Sequence, residues 1–114
     1  MTFLIHMAEL PRSGGATRVF EGSQYGDTNV SFFLLEAPPG DGPQLHSHPY
    51  EEIFVIQAGQ VTFTVGDATI EATGGQIVIA PAGIPHKFVN SGKTLLNSIN
   101  IHPSSRMITE WLED

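Results

Sequence analysis

Between Gln60 and Val65 polar and apolar side chains alternate, with Val61, Phe63 and Val65 on one side and Gln60, Thr62 and Thr64 on the other. That period of two is the signature of a strand with one wet face. Ser31 to Leu35 (SFFLL), Ile53 to Ile56 (IFVI) and Ile77 to Ala80 (IVIA) are almost continuously apolar, which predicts strands covered on both faces. Turn-forming pairs and clusters separate such stretches: Gly14-Gly15, Gly22-Ser23, Gly26-Asp27, Pro38 to Pro43, Ala58-Gly59, Gly66-Asp67, Gly74-Gly75, Pro81 to Pro85 and Ser91-Gly92. The segments between them predict strands near 17–21, 30–36, 44–48, 52–57, 60–65, 68–72, 76–80, 85–90 and 94–101. Many short strands with regular turns imply an all-β sandwich or barrel. Phe3 to Leu10 is too short to distinguish a period of two from one of 3.6, and is read as a strand. Met107 to Glu113 has the propensities of a short helix, but Met107, Thr109 and Trp111 would line one strand face, and a strand is the reading taken.

Twelve Gly and eight Pro among 114 residues reinforce the all-β expectation, and the length suits a single domain, 1–114, with its own core. A formal charge of −7 opposes binding to phosphate backbones, so nucleic acid is not an expected partner. No apolar run approaches the roughly 20 residues that cross a bilayer as a helix, so no membrane is expected either. The opening residues MTFLIHMAELPR lack the charged start, apolar run and cleavage site of a secretory signal, and no cysteine is present to form a disulfide. The expected location is cytoplasmic. Charged residues are only 15% of the chain, so much of the surface must be weakly polar or covered by another chain.

Three of the five histidines fall in two short segments, GDGPQLHSHPYEEIFVIQAG from Gly40 to Gly59 and GQIVIAPAGIPHKFVN from Gly75 to Asn90. Successive strand residues alternate faces, so the even spacing of His46, His48 and Glu52 lets all three point inward, with Pro49 bulging the strand between them. Two imidazoles and a carboxylate on one face form a metal-binding set, and His86 on a later strand supplies a fourth ligand. Four protein ligands leave one or two positions free on a five- or six-coordinate ion. Imidazole and carboxylate without thiolate suit one divalent ion per chain, Mn, Fe, Co, Ni or Zn, without selecting among them.

These segments resemble the two signature motifs of the cupin superfamily. The first motif is Gly, five residues, His-x-His, three or four residues, Glu, six residues, Gly, matched by Gly40, His46, His48, Glu52 and Gly59. The second is Gly, five residues, Pro-x-Gly, two residues, His, three residues, Asn, matched by Gly75, Pro81, Gly83, His86 and Asn90. The resemblance implies a jelly-roll barrel with His46, His48, Glu52 and His86 as metal ligands and the glycines and Pro81 as turn formers. The fifteen residues Gln60 to Gly74 between the motifs are as in small single-domain microbial members.

Two functions follow from this reading. One is a metal-dependent oxygenase, isomerase or lyase acting on a small organic molecule, with Glu52 as ligand and, if it detaches, general base. The other is a non-catalytic module that binds a metabolite or stores metal, since the superfamily holds both kinds. Tyr50, Phe54 and Phe88 are candidate cavity residues, and Glu51 is expected to face solvent. On the late strand either Asn97 or the pair Ser98 and Asn100 faces inward. His6 and His102 belong to no motif and are expected at the surface or a dimer contact, with a place near the cavity as the alternative for His102; Trp111 is expected in packing or an interface rather than as a substrate platform. The apolar outer faces of Ser31 to Leu35 and Ile53 to Ile56, with no helices to cover them, predict a homodimer.

Overall fold

A computed structural model describes residues 2–113. Among the described residues ten strands run in chain order: β1 (Arg18–Glu21), β2 (Ser31–Ala37), β3 (His46–Ser47), β4 (Glu52–Ala58), β5 (Gln60–Val65), β6 (Ala68–Thr73), β7 (Ile77–Ala80), β8 (His86–Val89), β9 (Leu96–His102) and β10 (Glu110–Trp111). They form two antiparallel five-stranded sheets, ordered β1-β2-β9-β4-β7 and β10-β3-β8-β5-β6. Two packed sheets with crossing connections make the jelly roll that the turn spacing and motifs imply. Among the described residues no helix is long and apolar enough to cross a membrane.

The core lies between the sheets, built from alternate residues of each strand. Phe54 and Ile56 of β4, Val61 and Phe63 of β5, Val78 and Ala80 of β7, Phe88 of β8 and Leu96 of β9 are all buried in it. Phe54, Phe63 and Phe88 meet at ring-centroid distances of 4.8 to 5.7 Å, in edge-on and tilted arrangements that quadrupolar rings favour. The alternation in β5 is as the sequence predicts, with Val61 and Phe63 inward. Gly59, at φ +95, turns β4 into β5 so closely under the next strand that a Cβ there would lie 2.6 Å from the Leu95 carbonyl oxygen. Both the backbone angle and the space require glycine.

Two expectations are corrected. Phe3 to Leu10 is not a strand: its one regular feature is the 3-10 turn Met7–Glu9, and only Leu10 of the segment is buried. Within the chain the apolar runs keep one face outside the core. Ile77 and Ile79 are 64% and 57% exposed, because β7 lies at a sheet edge and its alternate side chains leave the core. His46, His48 and Glu52 do not share one strand either: β3 ends at Ser47 in one sheet, β4 begins at Glu52 in the other, and Pro49 lies in the crossing rather than at a bulge.

Candidate metal centre

His46 leads β3 and pairs directly with His86 at the start of β8, so one cross-strand pair supplies two imidazoles. His48 follows in the crossing between sheets, and Glu52 opens β4 on the facing sheet. All four are buried and offer ligand atoms within 4.8 Å of one another.

Each imidazole is oriented from behind by a backbone carbonyl. His46 Nδ1–H donates to Gln44 O at 2.7 Å, His48 Nδ1–H to Ile108 O at 2.8 Å, and His86 Nδ1–H to Ile84 O at 3.1 Å. With Nδ1 protonated in each ring, Nε2 keeps its lone pair, the tautomer a metal ligand needs. Glu52 Oε1 lies 3.0 Å from His48 Nε2 and 3.1 Å from His86 Nε2. About 3 Å is the separation of neighbouring ligand atoms around a first-row ion with bonds of about 2.1 Å at right angles.

The electrostatics point the same way. Burial alone would raise the Glu52 pKa, but close contact with His102, His48 and His86 outweighs it and holds the carboxyl ionised, well below the usual carboxylate range. Burial pushes His46 down, keeping it neutral. Burial also opposes charge on His86, yet the contact with Glu52 and the Ile84 carbonyl carry its pKa upward. His48 Nε2 is buried with no hydrogen-bonding partner while facing an anionic oxygen. A lone pair against a carboxylate out of water is costly, and a cation between them removes the cost. These residues therefore fit a divalent ion.

His102, expected at the surface, belongs to this cluster. It ends β9 with the inward parity of Leu96, Ser98 and Asn100, and only 1% of it is exposed. The Ile108 N–H donates to the Tyr50 hydroxyl at 3.0 Å, and that hydroxyl donates to His102 Nδ1 at 2.6 Å. The His102 proton then sits on Nε2, 3.1 Å from Glu52 Oε2 and off the line of a straight hydrogen bond. Tyr50 does not line the cavity as expected; it stacks flat behind His48, with ring centroids 5.2 Å apart. The parity of β9 was the available signal for His102, once Ser98 and Asn100 rather than Asn97 are set inward. Glu51 faces solvent as predicted.

A cavity of about 350 Å³ opens onto the cluster. Its inner end is formed by His46, His48, Glu52 and His102, its walls by Phe33, Leu35, Phe88 and Asn100, and its outer end by the exposed residues Gly14, Gly15 and Asp41. Phe88 lines it as expected, whereas Phe54 is fully buried in the core behind His86. Trp111 is no mere packing residue: it is 60% exposed, lies 5.0 Å from the His46 ring and forms part of the cavity wall.

A double-sheet β-barrel with histidines and a glutamate gathered between its sheets at the foot of an open cavity is the architecture of a metal-binding cupin. The family model described as Cupin domain matches residues 33–101, and the chain belongs to that family. An uncharacterized protein of Streptomyces coelicolor is 32% identical over 60 residues, 53% of this chain and 55% of its own length. The chain thus spans about half of that relative. Among solved structures, an oxalate oxidase superimposes with a TM-score of 0.79 at 17% identity, covering 96% of this chain and 63% of its own. Lactobacillus farciminis oxalate decarboxylase superimposes with a TM-score of 0.81 at 22% identity, covering 94% of this chain and 35% of its own. These likenesses are of fold.

Proposed function

We propose that the chain holds one divalent transition-metal ion through His46, His48, Glu52 and His86 and acts as an enzyme on a small organic molecule bound in the adjoining cavity. The observation that carries this reading is the convergence of three oriented Nε2 lone pairs and an ionised carboxylate at the foot of a cavity that reaches the surface. Such an ion supplies Lewis acidity and open coordination positions. The protein contributes the rest: backbone carbonyls fix the imidazoles, His102 restrains the outer oxygen of Glu52, and Phe33, Leu35 and Phe88 exclude water around the substrate. If it detaches from the ion, Glu52 could accept a proton as general base. A manganese ion is one option, because solved relatives of this fold include Bacillus subtilis oxalate decarboxylase with its Mn(II) centres, 20% identical to this chain.

The test is metal analysis of protein purified without added metal, followed by oxygen-uptake and product screens on phenols, diketones and sugars. Glu52→Gln should lower turnover by about tenfold or more even with metal resupplied. If wild-type turnover never exceeds that of free metal, the non-catalytic reading, a module that binds a metabolite or metal, replaces the enzyme.

A further inference from the structure

Beyond β9 the chain crosses to the other sheet as a strap, residues 107–113, which forms one side of the cavity through Thr109 and Trp111. None of its side chains is buried, and Ile108, Trp111 and Leu112 are 52%, 60% and 43% exposed. A segment without apolar burial is held by its polar contacts and opens far more easily than the barrel as a whole. At its near end the Met107 N–H donates to Glu21 Oε2 at 3.0 Å. At its far end the Leu112 N–H donates to Leu45 O at 2.9 Å, and Glu113 Oε1 accepts from the Leu45 N–H at 2.9 Å and pairs with Lys87 at 3.4 Å. The Glu113 pair is exposed and therefore weak. Between these ends the strap is held by the proposed ligands themselves: Ile108 O accepts the His48 Nδ1–H at 2.8 Å, and Trp111 pairs with His46 across β10 and β3.

The His48 contact ties the strap to the ion. With Nε2 committed to an ion, the ring proton stays on Nδ1 and its donation to Ile108 O is enforced. With Nε2 free, the same proton can pass to that nitrogen, where Glu52 Oε1 at 3.0 Å attracts it. Nδ1 then turns a lone pair towards the Ile108 carbonyl, and one acceptor faces another. No charge is gained or lost. Two tautomers with opposite contacts to one carbonyl make a two-state element that ion and strap both bias, which is what coupling between two places requires.

We propose that residues 107–113 are a strap latched by the ion: seated on β3 when the site is loaded and released when it is empty, so that the cavity wall of Thr109 and Trp111 is complete only in loaded protein. This rests on the proposed metal site and adds an order of events to it, ion before small molecule.

The experiment compares the full chain loaded with Zn(II) and the same protein stripped by a chelator, with metal content measured in each. Arg106 is exposed and immediately precedes the strap, so trypsin cutting after it reports release; Lys93, exposed in the turn between β8 and β9, reports loosening elsewhere. Stripping should quicken the cut at Arg106 by about tenfold or more and leave the cut at Lys93 within about twofold. The emission of Trp111, the one tryptophan, should move to longer wavelength at the same time. Coupling is reciprocal, so Glu113→Ala, an exposed change outside the ligand set that loosens the strap, should weaken Zn(II) binding by about threefold or more with circular dichroism unchanged. If the protein takes up no metal, the proposed function fails and this inference with it. If Zn(II) is bound but both cuts respond alike, if Trp111 emission does not move, or if Glu113→Ala leaves the Zn(II) Kd unchanged, this inference alone is overturned.

Discussion

Tyr50 and His102 form a path of defined direction, from the Ile108 N–H through the phenol and the imidazole to Glu52 Oε2. Removing the hydroxyl leaves the ring stacked on His48 but frees the His102 tautomer, so Glu52 loses its restraint. Tyr50→Phe should therefore weaken metal binding by about tenfold, read as a metal Kd by competition with a chelator, with the fold unchanged by circular dichroism. His102→Gln should do the same, whereas the exposed neighbour change Glu51→Gln should not. His48→Ala or His86→Ala should remove a proposed ligand, and most of the metal should be missing from protein that still unfolds cooperatively, because the core around Phe54 and Phe63 does not depend on an ion. Full occupancy in both would contradict the assignment. The four proposed ligand residues were legible because their spacing matches a motif; His102 belongs to no motif and its only signal is the parity of β9, while the role of Tyr50 arises from a chain crossing that no spacing records.

At the level of elements, the nine strand ranges from 17 to 101 read from the sequence agree with the structure to within about two residues at each end, since turns at glycine and proline leave little freedom in between. The segment from 44 to 48 shrinks to the two residues of β3, and Phe3 to Leu10 fails because its apolar residues carry no consistent period and find no core to face. Met107 to Glu113, read as a strand, yields only β10, two residues pairing Glu110 with Ser47 and Trp111 with His46. That short element matters more than its length suggests. Ile108 just before it accepts the His48 Nδ1–H and donates to Tyr50, so its backbone orients two site residues while its side chain is half exposed. Ile108→Thr should leave metal affinity within about twofold, whereas Ile108→Pro, which deletes the N–H, should weaken it by about tenfold. Equal effects of the two substitutions would show that the side chain, not the backbone, carries the role.

Across the whole molecule, the outer face of the β1-β2-β9-β4-β7 sheet carries two apolar rows, Phe32, Ile101, Ile53 and Ile79 in one and Leu34, Ile99, Val55 and Ile77 in the other, set side by side by the strand registers. Among the described residues Phe20 stacks on Phe32 at one end of this face, and Ile77 and Ile79 stand exposed at the other; a second copy offers the same apolar surface to cover them. Sedimentation at micromolar concentration should give a dimer, and Ile77→Lys with Ile79→Lys should give a folded monomer; a wild-type monomer of 12.3 kDa would refute the pairing. Metal should raise the melting temperature of either form by mass action, and a chelator should reverse the gain. The origin of the ligands gives this last effect a spatial form. Three imidazoles belong to one sheet and its crossing while the carboxylate belongs to the other, so an ion held there would rivet two layers together in a chain that has no cysteine to do so. Chelation would undo that rivet at one end of the barrel only. Amide exchange should then quicken around β3 and β10 and stay slow in the β5–β6 hairpin, turning ion loss into a local breathing of the barrel mouth.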